Sequence, residues 1–399
     1  MARAVIVDAV RSPMARGKAS GALAGLHPVD LLAQVLTALV NRNRLDPGIV
    51  DDVLIGCVSQ AGEQSATPGR QAWLAAGFPT QVPSVTIERK CGSGQQAIEF
   101  AAAGIVAGTY DIVVAGGVES MSRVPMGSAR MDGDPFGPRV RERFPDLVPQ
   151  GISAELVADK WHLSRAQLDE YSARSHARAA AARADGSFSA EIVPVEVPGA
   201  DRAGGGRMVA DDETIRAGTT PARLAELQPA FATDANRARF PHLDWKVTAG
   251  NSSQITDGAS ALLLMSEDKA AELGLRPRAR IIASAVVGDD PTLMLTGPIP
   301  ATQRVLDRSG IKLGDIDTVE LNEAFASVPL AWQADLGVSD DRLNPRGGAI
   351  ALGHPLGASG ARLMTTLINY LEQSGGRLGL QTMCEAGGMA NATILEIIR

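Results

Sequence analysis

The chain has 399 residues, 45% of them hydrophobic and 21% charged, with 42 glycines and only 4% aromatics. That length exceeds one ordinary core, so two or three domains built from small aliphatic side chains are expected, with glycine loops that let backbone come close to a ligand. The net charge of -7, without a long basic run, argues against a nucleic-acid binder, and three scattered cysteines suit free thiols in a reducing compartment better than a disulfide framework or a zinc site.

The first element is a short apolar run over residues 2–9, interrupted by Asp8 and lacking a basic lead or a cleavage pattern, so it reads as a strand. No segment approaches the roughly 18 apolar residues of a membrane helix. A cytoplasmic protein without membrane association is therefore expected. An amphipathic run over residues 28–40 follows, as for a helix lying on a sheet. Residues 45–56 then read as a helix exit, a turn, an acidic pair (Asp51-Asp52) and an apolar strand. A strand at 84–87, a glycine-rich turn leading into a helix at 92–107, and a strand at 111–115 complete the series.

The second half repeats it. Residues 279–285 answer the opening strand, 300–308 the amphipathic run, and 311–322 the turn, acidic pair and strand; 353–371 and 378–383 answer the later helix and strand. Strand and helix alternate in both halves. This predicts an α/β fold of layered sheets with helices against them, in two similar halves related by an approximate twofold.

Between the halves, residues 123–249 change character. Arg123, Arg130, Arg139, Arg141 and Arg143 fall together; they read as a solvated face, with an anion-contacting surface as the alternative. A helix-like run at 154–185 and the patch Gly204-Gly205-Gly206 follow. So long an insertion reads as a lid or ligand-binding excursion, with a solubility or oligomerisation loop as its rival.

Four positions carry chemistry. Cys91, in Lys90-Cys91-Gly92-Ser93-Gly94, sits at the expected start of a helix, where the helix dipole favours thiolate and should lower the thiol's pKa. Gly92 and Gly94 leave room for a carbonyl to approach the sulfur. Cys57 reads as structural. His354, in Gly353-His354-Pro355, occupies the turn equivalent to that of Cys91, and neutral imidazole accepts a proton near neutral pH. Cys384 is expected just after a strand and before Ala386-Gly387-Gly388; two thiols beside one imidazole can divide nucleophile and acid/base roles. Asn322, in Asn322-Glu323-Ala324-Phe325, ends its strand, where its amide could hold a water or a carbonyl oxygen or simply cap a helix.

Taken in order, Cys91-Gly92-Ser93-Gly94, Asn322-Glu323-Ala324-Phe325, Gly353-His354-Pro355 and Cys384 resemble the motifs of the thiolase family, and Gly250-Asn251-Ser252-Ser253 with Asp257-Gly258-Ala259 adds a fifth match. The resemblance covers nearly the whole chain and is closest to the degradative members. It implies a thiolase-like fold with an N-terminal domain over 1–122 and 250–274, an inserted loop domain over 123–249 that holds coenzyme A, and a C-terminal domain over 275–399. It implies an acyltransferase cleaving 3-ketoacyl-CoA reversibly, with Cys91 the nucleophile, His354 the base, Cys384 the second acid/base and Asn322 a holder of water. Oxyanion donors would be the backbone N–H groups of Cys91 and Ala386. Coenzyme A contacts carried over by motif are Arg216, Ala249, Ser253, Ala324 and Phe325. Coenzyme A is then a co-substrate, with no permanently bound cofactor or metal, and the partners are acyl-CoA, coenzyme A and further copies in a homodimer or homotetramer.

Two departures stand out. Glu385 and Ala386 follow Cys384 where the family places glycines around an apolar residue; an inward Glu385 would raise the pKa of its neighbour thiol, and Ala386 would be strained at positive φ. Pro149-Gln150-Gly151 stands where short-chain biosynthetic thiolases carry a His-Met pair, so acyl groups larger than acetoacetyl are expected. Rival readings are a short-chain acetyl-CoA acetyltransferase, a ketoacyl synthase, which Cys384 and Asn322 disfavour, and a non-catalytic acyl-CoA-binding protein.

Overall fold

The computed structural model describes residues 3–199 and 206–399; Ala2 of the expected first strand and Gly204-Gly205 of the glycine patch lie outside them. Nine principal strands form one mixed sheet. In the first half these are β1 (Ala4–Arg11), β2 (Asp52–Gly56), β3 (Ser84–Ile87), β4 (Ile112–Ser120) and β5 (Thr256–Ser266). In the second they are β6 (Ala279–Gly288), β7 (Thr318–Leu321), β8 (Leu378–Glu385) and β9 (Met389–Ile397). Their spatial order is β7-β8-β9-β6-β1-β5-β4-β2-β3, and a two-residue strand, Ala15–Arg16, pairs beside β5.

The duplication is visible in the hydrogen bonding. The series β2-β4-β5-β1 runs parallel, antiparallel, antiparallel, and β7-β8-β9-β6 follows the same pattern. The halves join where Val5 and Ile6 pair with Arg280 and Ala279. A parallel pair needs a crossover. It is supplied by α2 (Ser93–Val106) in the first half and α6 (Leu356–Ser374) in the second.

Three layers of side chains hold this arrangement. On one face of the first half, Leu31, Leu32, Leu36 and Leu39 of α1 (Pro28–Arg42) pack on β1, β4 and β5. On the second half, Ala301 and Val305 of α5 (Pro298–Ser309) pack on β6 to β9. Between them, Ile98, Ala101 and Ile105 of α2 share one cluster with Met364, Leu367 and Ile368 of α6. Each large aliphatic side chain so buried contributes about 1.5–3 kcal/mol.

The two central helices touch at their N-termini. A Cβ on Gly94 would lie 2.7 Å from the Gly357 carbonyl oxygen, and one on Gly360 only 2.2 Å from the Gln95 nitrogen. Side chains there would push the helices apart. This contact brings the turns carrying Cys91 and His354 together, as the twofold reading requires.

Two expectations need correction. The helix-like run at 154–185 is two helices, α3 (Gln150–Lys160) and α4 (Arg165–Ala184). His162 takes a left-handed conformation with φ 53 between them, and Ser164 with Gln167 forms a capping box that starts α4 afresh. β8 also runs beyond Met383, so Cys384 and Glu385 lie within the strand and not after it. Of the grouped arginines, Arg123 pairs with Glu63 and Arg141 with Asp134, while Arg130, Arg139 and Arg143 are exposed, which favours the solvated face. No helix among the described residues is long and apolar enough to cross a membrane.

Candidate active site

The turn before α2 is stapled from within. Ser93 Oγ accepts the Arg89 N–H at 2.9 Å and donates to the Lys90 carbonyl at 2.6 Å, while Lys90 has φ 46. Gly92 is the N-cap of α2, so Cys91 directly precedes the cap, 5% exposed, against Met121, Leu356 and Met383.

His354 is fixed by its backbone and by one ring nitrogen. Its N–H reaches Thr256 Oγ1 at 3.0 Å and the Gln254 carbonyl at 3.1 Å. A Cβ on Gly353, where φ is 89, would collide with Thr256 Oγ1. On the ring, Nδ1 lies 2.6 Å from Ser359 Oγ, and that hydroxyl donates to the Pro355 carbonyl at 2.9 Å. The single hydroxyl proton is thereby used. Nδ1 must carry the imidazole proton, which assigns the tautomer by network logic and leaves Nε2 with its lone pair. Asn322 Nδ2 stands 3.4 Å from that Nε2.

Asn322 follows β7 directly, its N–H bonded to the Thr382 carbonyl at 3.1 Å, and its Oδ1 has no partner among the described residues. The next residue anchors it. Glu323 accepts from Tyr171 Oη at 2.9 Å, Ser175 Oγ at 2.7 Å, Asn344 Nδ2 at 3.0 Å and the Ile350 N–H at 3.1 Å. One buried carboxylate thus ties α4 of the insertion to the loop before α6. Glu119, at the end of β4, does the same across the halves: it accepts the N–H groups of Val58, Ser59 and Gly357 and the side-chain amide of Gln64, all at 2.9–3.0 Å.

The electrostatics overturn one expectation. Burial, followed by the nearby Glu385, pushes the Cys91 thiol up to about 12, against the pull of the backbone N–H groups of Cys91 and Ala386. The helix end was expected to lower it. Cys91 is too deeply desolvated for that, and charge is disfavoured there before substrate binds. The Cys384 thiol is also raised, by burial and then by its proximity to Cys91 and Glu385. Glu385 is itself buried, so the condition for its raising the neighbouring thiol holds. Burial and then the Arg362 guanidinium lower His354 to about 3. Thiol and imidazole rest neutral, so charge separates only when an acceptor for it arrives.

Ala386 is not strained: positive φ falls on Gly387 and Gly388, at 94 and 75. The backbone N–H groups of Cys91 and Ala386 favour negative charge at the Cys91 sulfur, against burial. N–H groups so placed can also stabilise an oxyanion on a carbon bonded to that sulfur. Cys57 is buried, its thiol pushed up by burial and Glu119, as suits a structural cysteine.

The expected coenzyme A contacts fall into one neighbourhood. Ser253 donates its N–H to the Ala324 carbonyl at 2.9 Å, and Ser252 bridges to Phe325. Arg216 is exposed, reaches Gln254 Oε1 at 3.3 Å, and has its backbone N–H held by His176 Nδ1 at 3.1 Å. Ala249 is exposed in the turn ahead of Asn251. Asn251 pins that turn to α4 through Asp169 at 3.0 Å.

Ser359, Glu323 and Glu119 carried no role in the sequence reading. For Ser359 a signal existed, a hydroxyl five residues after His354 at a helix start. The partners of Glu119 and Glu323 are distant in the chain.

Known proteins resemble this chain along its whole length. Family models for the thiolase N-terminal domain and the thiolase C-terminal domain match residues 4–268 and 275–397. The chain is 48% identical to the steroid 3-ketoacyl-CoA thiolase FadA6 of Mycobacterium tuberculosis, over 99% of its own length and 94% of that protein's. It is 44% identical to a 3-ketoacyl-CoA thiolase of Aeromonas salmonicida, over 98% of both chains, and 43% identical to the beta-ketoadipyl-CoA thiolase of Acinetobacter baylyi, over 99% of its length and 100% of that chain. A solved acetyl-CoA acetyltransferase of Bacillus anthracis superposes with a TM-score of 0.88 at 37% identity, covering 100% of this chain and 99% of that one. The 3-ketoacyl-CoA thiolase relatives make this an acyltransferase. The chain belongs to the thiolase family.

Proposed function

We propose that the protein cleaves 3-ketoacyl-CoA with coenzyme A, giving acetyl-CoA and a shortened acyl-CoA, in fatty-acid or sterol-type degradation. In this reading His354 Nε2 takes the Cys91 proton as the sulfur attacks the 3-keto carbon. The carbon–carbon bond then breaks, Cys384 protonates the departing acetyl-CoA enolate, and coenzyme A removes the acyl group from Cys91. The N–H groups of Cys91 and Ala386 stabilise one oxyanion, and His354 with a water held by Asn322 stabilises the other. What supports the proposal is the close contact of the two helix starts that carry the Cys91 and His354 turns, together with two neighbouring thiols and an imidazole whose Nε2 is bare beside Asn322.

Coenzyme A is a co-substrate, with Arg216 toward its phosphates and Ala249, Ser253, Ala324 and Phe325 along the pantetheine. The inserted segment at 123–249 forms its binding domain, between an N-terminal domain at 1–122 with 250–274 and a C-terminal domain at 275–399. A cytoplasmic homodimer or homotetramer fits this reading. β3 is the outer strand of the sheet, with Val85 44% exposed and Phe100 of α2 49% exposed, features that favour edge pairing with a second copy.

Acyl groups larger than acetoacetyl are favoured by Pro149-Gln150-Gly151 standing in place of a His-Met pair and by the substrates in the relatives' names. Comparing cleavage of acetoacetyl-CoA with longer and ring-bearing 3-ketoacyl-CoA tests this. A marked preference for acetoacetyl-CoA would favour the short-chain acetyltransferase instead.

A further inference from the structure

Glu385 is the last residue of β8, and its side chain is fully buried. A Cβ built on Gly92 would stand 2.0 Å from Glu385 Oε1 and 2.7 Å from Asn391 Oδ1. The carboxyl and the amide oxygen therefore share the space a side chain would occupy beside the nucleophile. Neither carboxyl oxygen, nor Asn391 Oδ1, has a hydrogen-bond partner among the described residues. Asn391 Nδ2 is turned the other way, toward the Gly92 carbonyl at 3.4 Å. Glu385 Oε1 and Asn391 Oδ1 both border the same Cβ position at Gly92, and reversing the amide would set Oδ1 against the Gly92 carbonyl. A proton on Glu385 gives Asn391 Oδ1 a donor without that exchange.

The groups facing Glu385 agree. Cys384 adjoins it on β8, Cys91, Arg89 and Glu88 face it from the nucleophile turn, Glu99 from α2, and Asn391 from β9. Glu119 of β4 acts on the same sulfur of Cys91. Burial dominates over the pull of Arg89, and Glu88 and Glu99 oppose ionisation, so the carboxyl rises to about 8. Its negative charge, which raises Cys91, is accordingly small at neutral pH and grows above it.

We propose that Glu385 is a positioning residue held as a neutral carboxylic acid, its O–H donated to Asn391 Oδ1 beneath Gly92, so that the nucleophile turn is braced and negative charge is kept away from Cys91. When that proton leaves, a carboxylate stands beside both thiols and thiolate at Cys91 becomes harder to form. This deepens the reading of Cys91 as the acylated nucleophile, but its test does not depend on turnover.

The test is the rate at which iodoacetamide alkylates Cys91 across pH 6 to 9.5, read by peptide mass spectrometry, for the wild type, Glu385→Gln and Glu385→Ala. The wild-type rate should bend below a tenfold rise per pH unit above about pH 8, and Glu385→Gln should not bend. Normalised at pH 6.5, the Gln variant should be at least about threefold faster than wild type at pH 9. Glu385→Ala should lose the bend and also react more slowly at pH 6.5, with Gln, which keeps an N–H for Asn391, restoring that rate. An infrared difference between wild type and Glu385→Gln at pH 7 should show the C=O band of a protonated carboxylic acid. If the Gln variant does not fold, Asn391→Leu should shift the same band toward that of an acid without an acceptor. Coincident pH profiles, or no acid band assignable to Glu385, overturn the proposal. Failure of acyl transfer with the bend intact would instead count against the assigned reaction.

Discussion

Replacing Ser359 with alanine removes the group that sets the His354 tautomer while leaving every assigned catalytic side chain in place. In the wild type, Nδ1 to Ser359 Oγ is 2.6 Å and the hydroxyl is anchored on the Pro355 carbonyl. Without the hydroxyl, a fully buried Nδ1–H loses its acceptor, which costs about 1–3 kcal/mol. The imidazole then gains by moving the proton to Nε2 or turning its ring, and either change removes the lone pair from the atom proposed to take the Cys91 proton. Ser359→Ala should therefore slow acylation of Cys91 by roughly 5- to 160-fold, with a smaller effect on the KM for coenzyme A. Rapid-quench measurement of the acyl-enzyme, with thermal unfolding as a control for folding, reads this directly. Acylation within about twofold of wild type by a stably folded variant would refute the tautomer assignment.

Cys384→Ala should abolish cleavage and condensation yet leave slow acyl transfer from acyl-CoA to Cys91, measurable as thioester exchange; full activity would remove Cys384 from the mechanism. Glu323→Leu leaves Tyr171, Ser175, Asn344 and the Ile350 N–H without their shared acceptor. It should lower stability by about 3–5 kcal/mol in denaturant unfolding, with losses concentrated where the insertion meets the second half. His354 binds its proton at about 3 in the fold and near 6.5 when unfolded, so below that value the unfolded chain holds the extra proton and stability falls with falling pH. His354→Gln should flatten this acid-side loss of Tm relative to wild type between pH 6.5 and 3, and parallel curves would show that burial of His354 is not its cause.

The twofold architecture was legible because each half spells the same order of strand, helix, turn and strand, and chain order alone then dictates which strands pair in parallel. The break between α3 and α4 was not, since neither glycine nor proline marks residues 161–164 and the left-handed turn falls on His162. Cys91, His354, Cys384 and Asn322 could be singled out in the sequence because their motifs are compact. The charge state of Cys91 was misjudged for the opposite reason: a helix end is a local feature, whereas Cys91 is buried by side chains from distant parts of the chain, Met121, Leu356 and Met383, and the carboxyl of Glu385 comes from β8, almost three hundred residues along the sequence. Glu119 and Glu323 escaped notice likewise, because a carboxylate that collects backbone N–H groups from several loops has no local pattern.

The most direct measurement is peptide mapping by mass spectrometry after brief incubation with a 3-ketoacyl-CoA in the absence of free coenzyme A. An acyl thioester on Cys91, discharged when coenzyme A is added and absent in Cys91→Ser, is the result expected. No adduct despite bound acyl-CoA would point to a binding protein, and an adduct on Cys384 or Cys57 would place the nucleophile elsewhere.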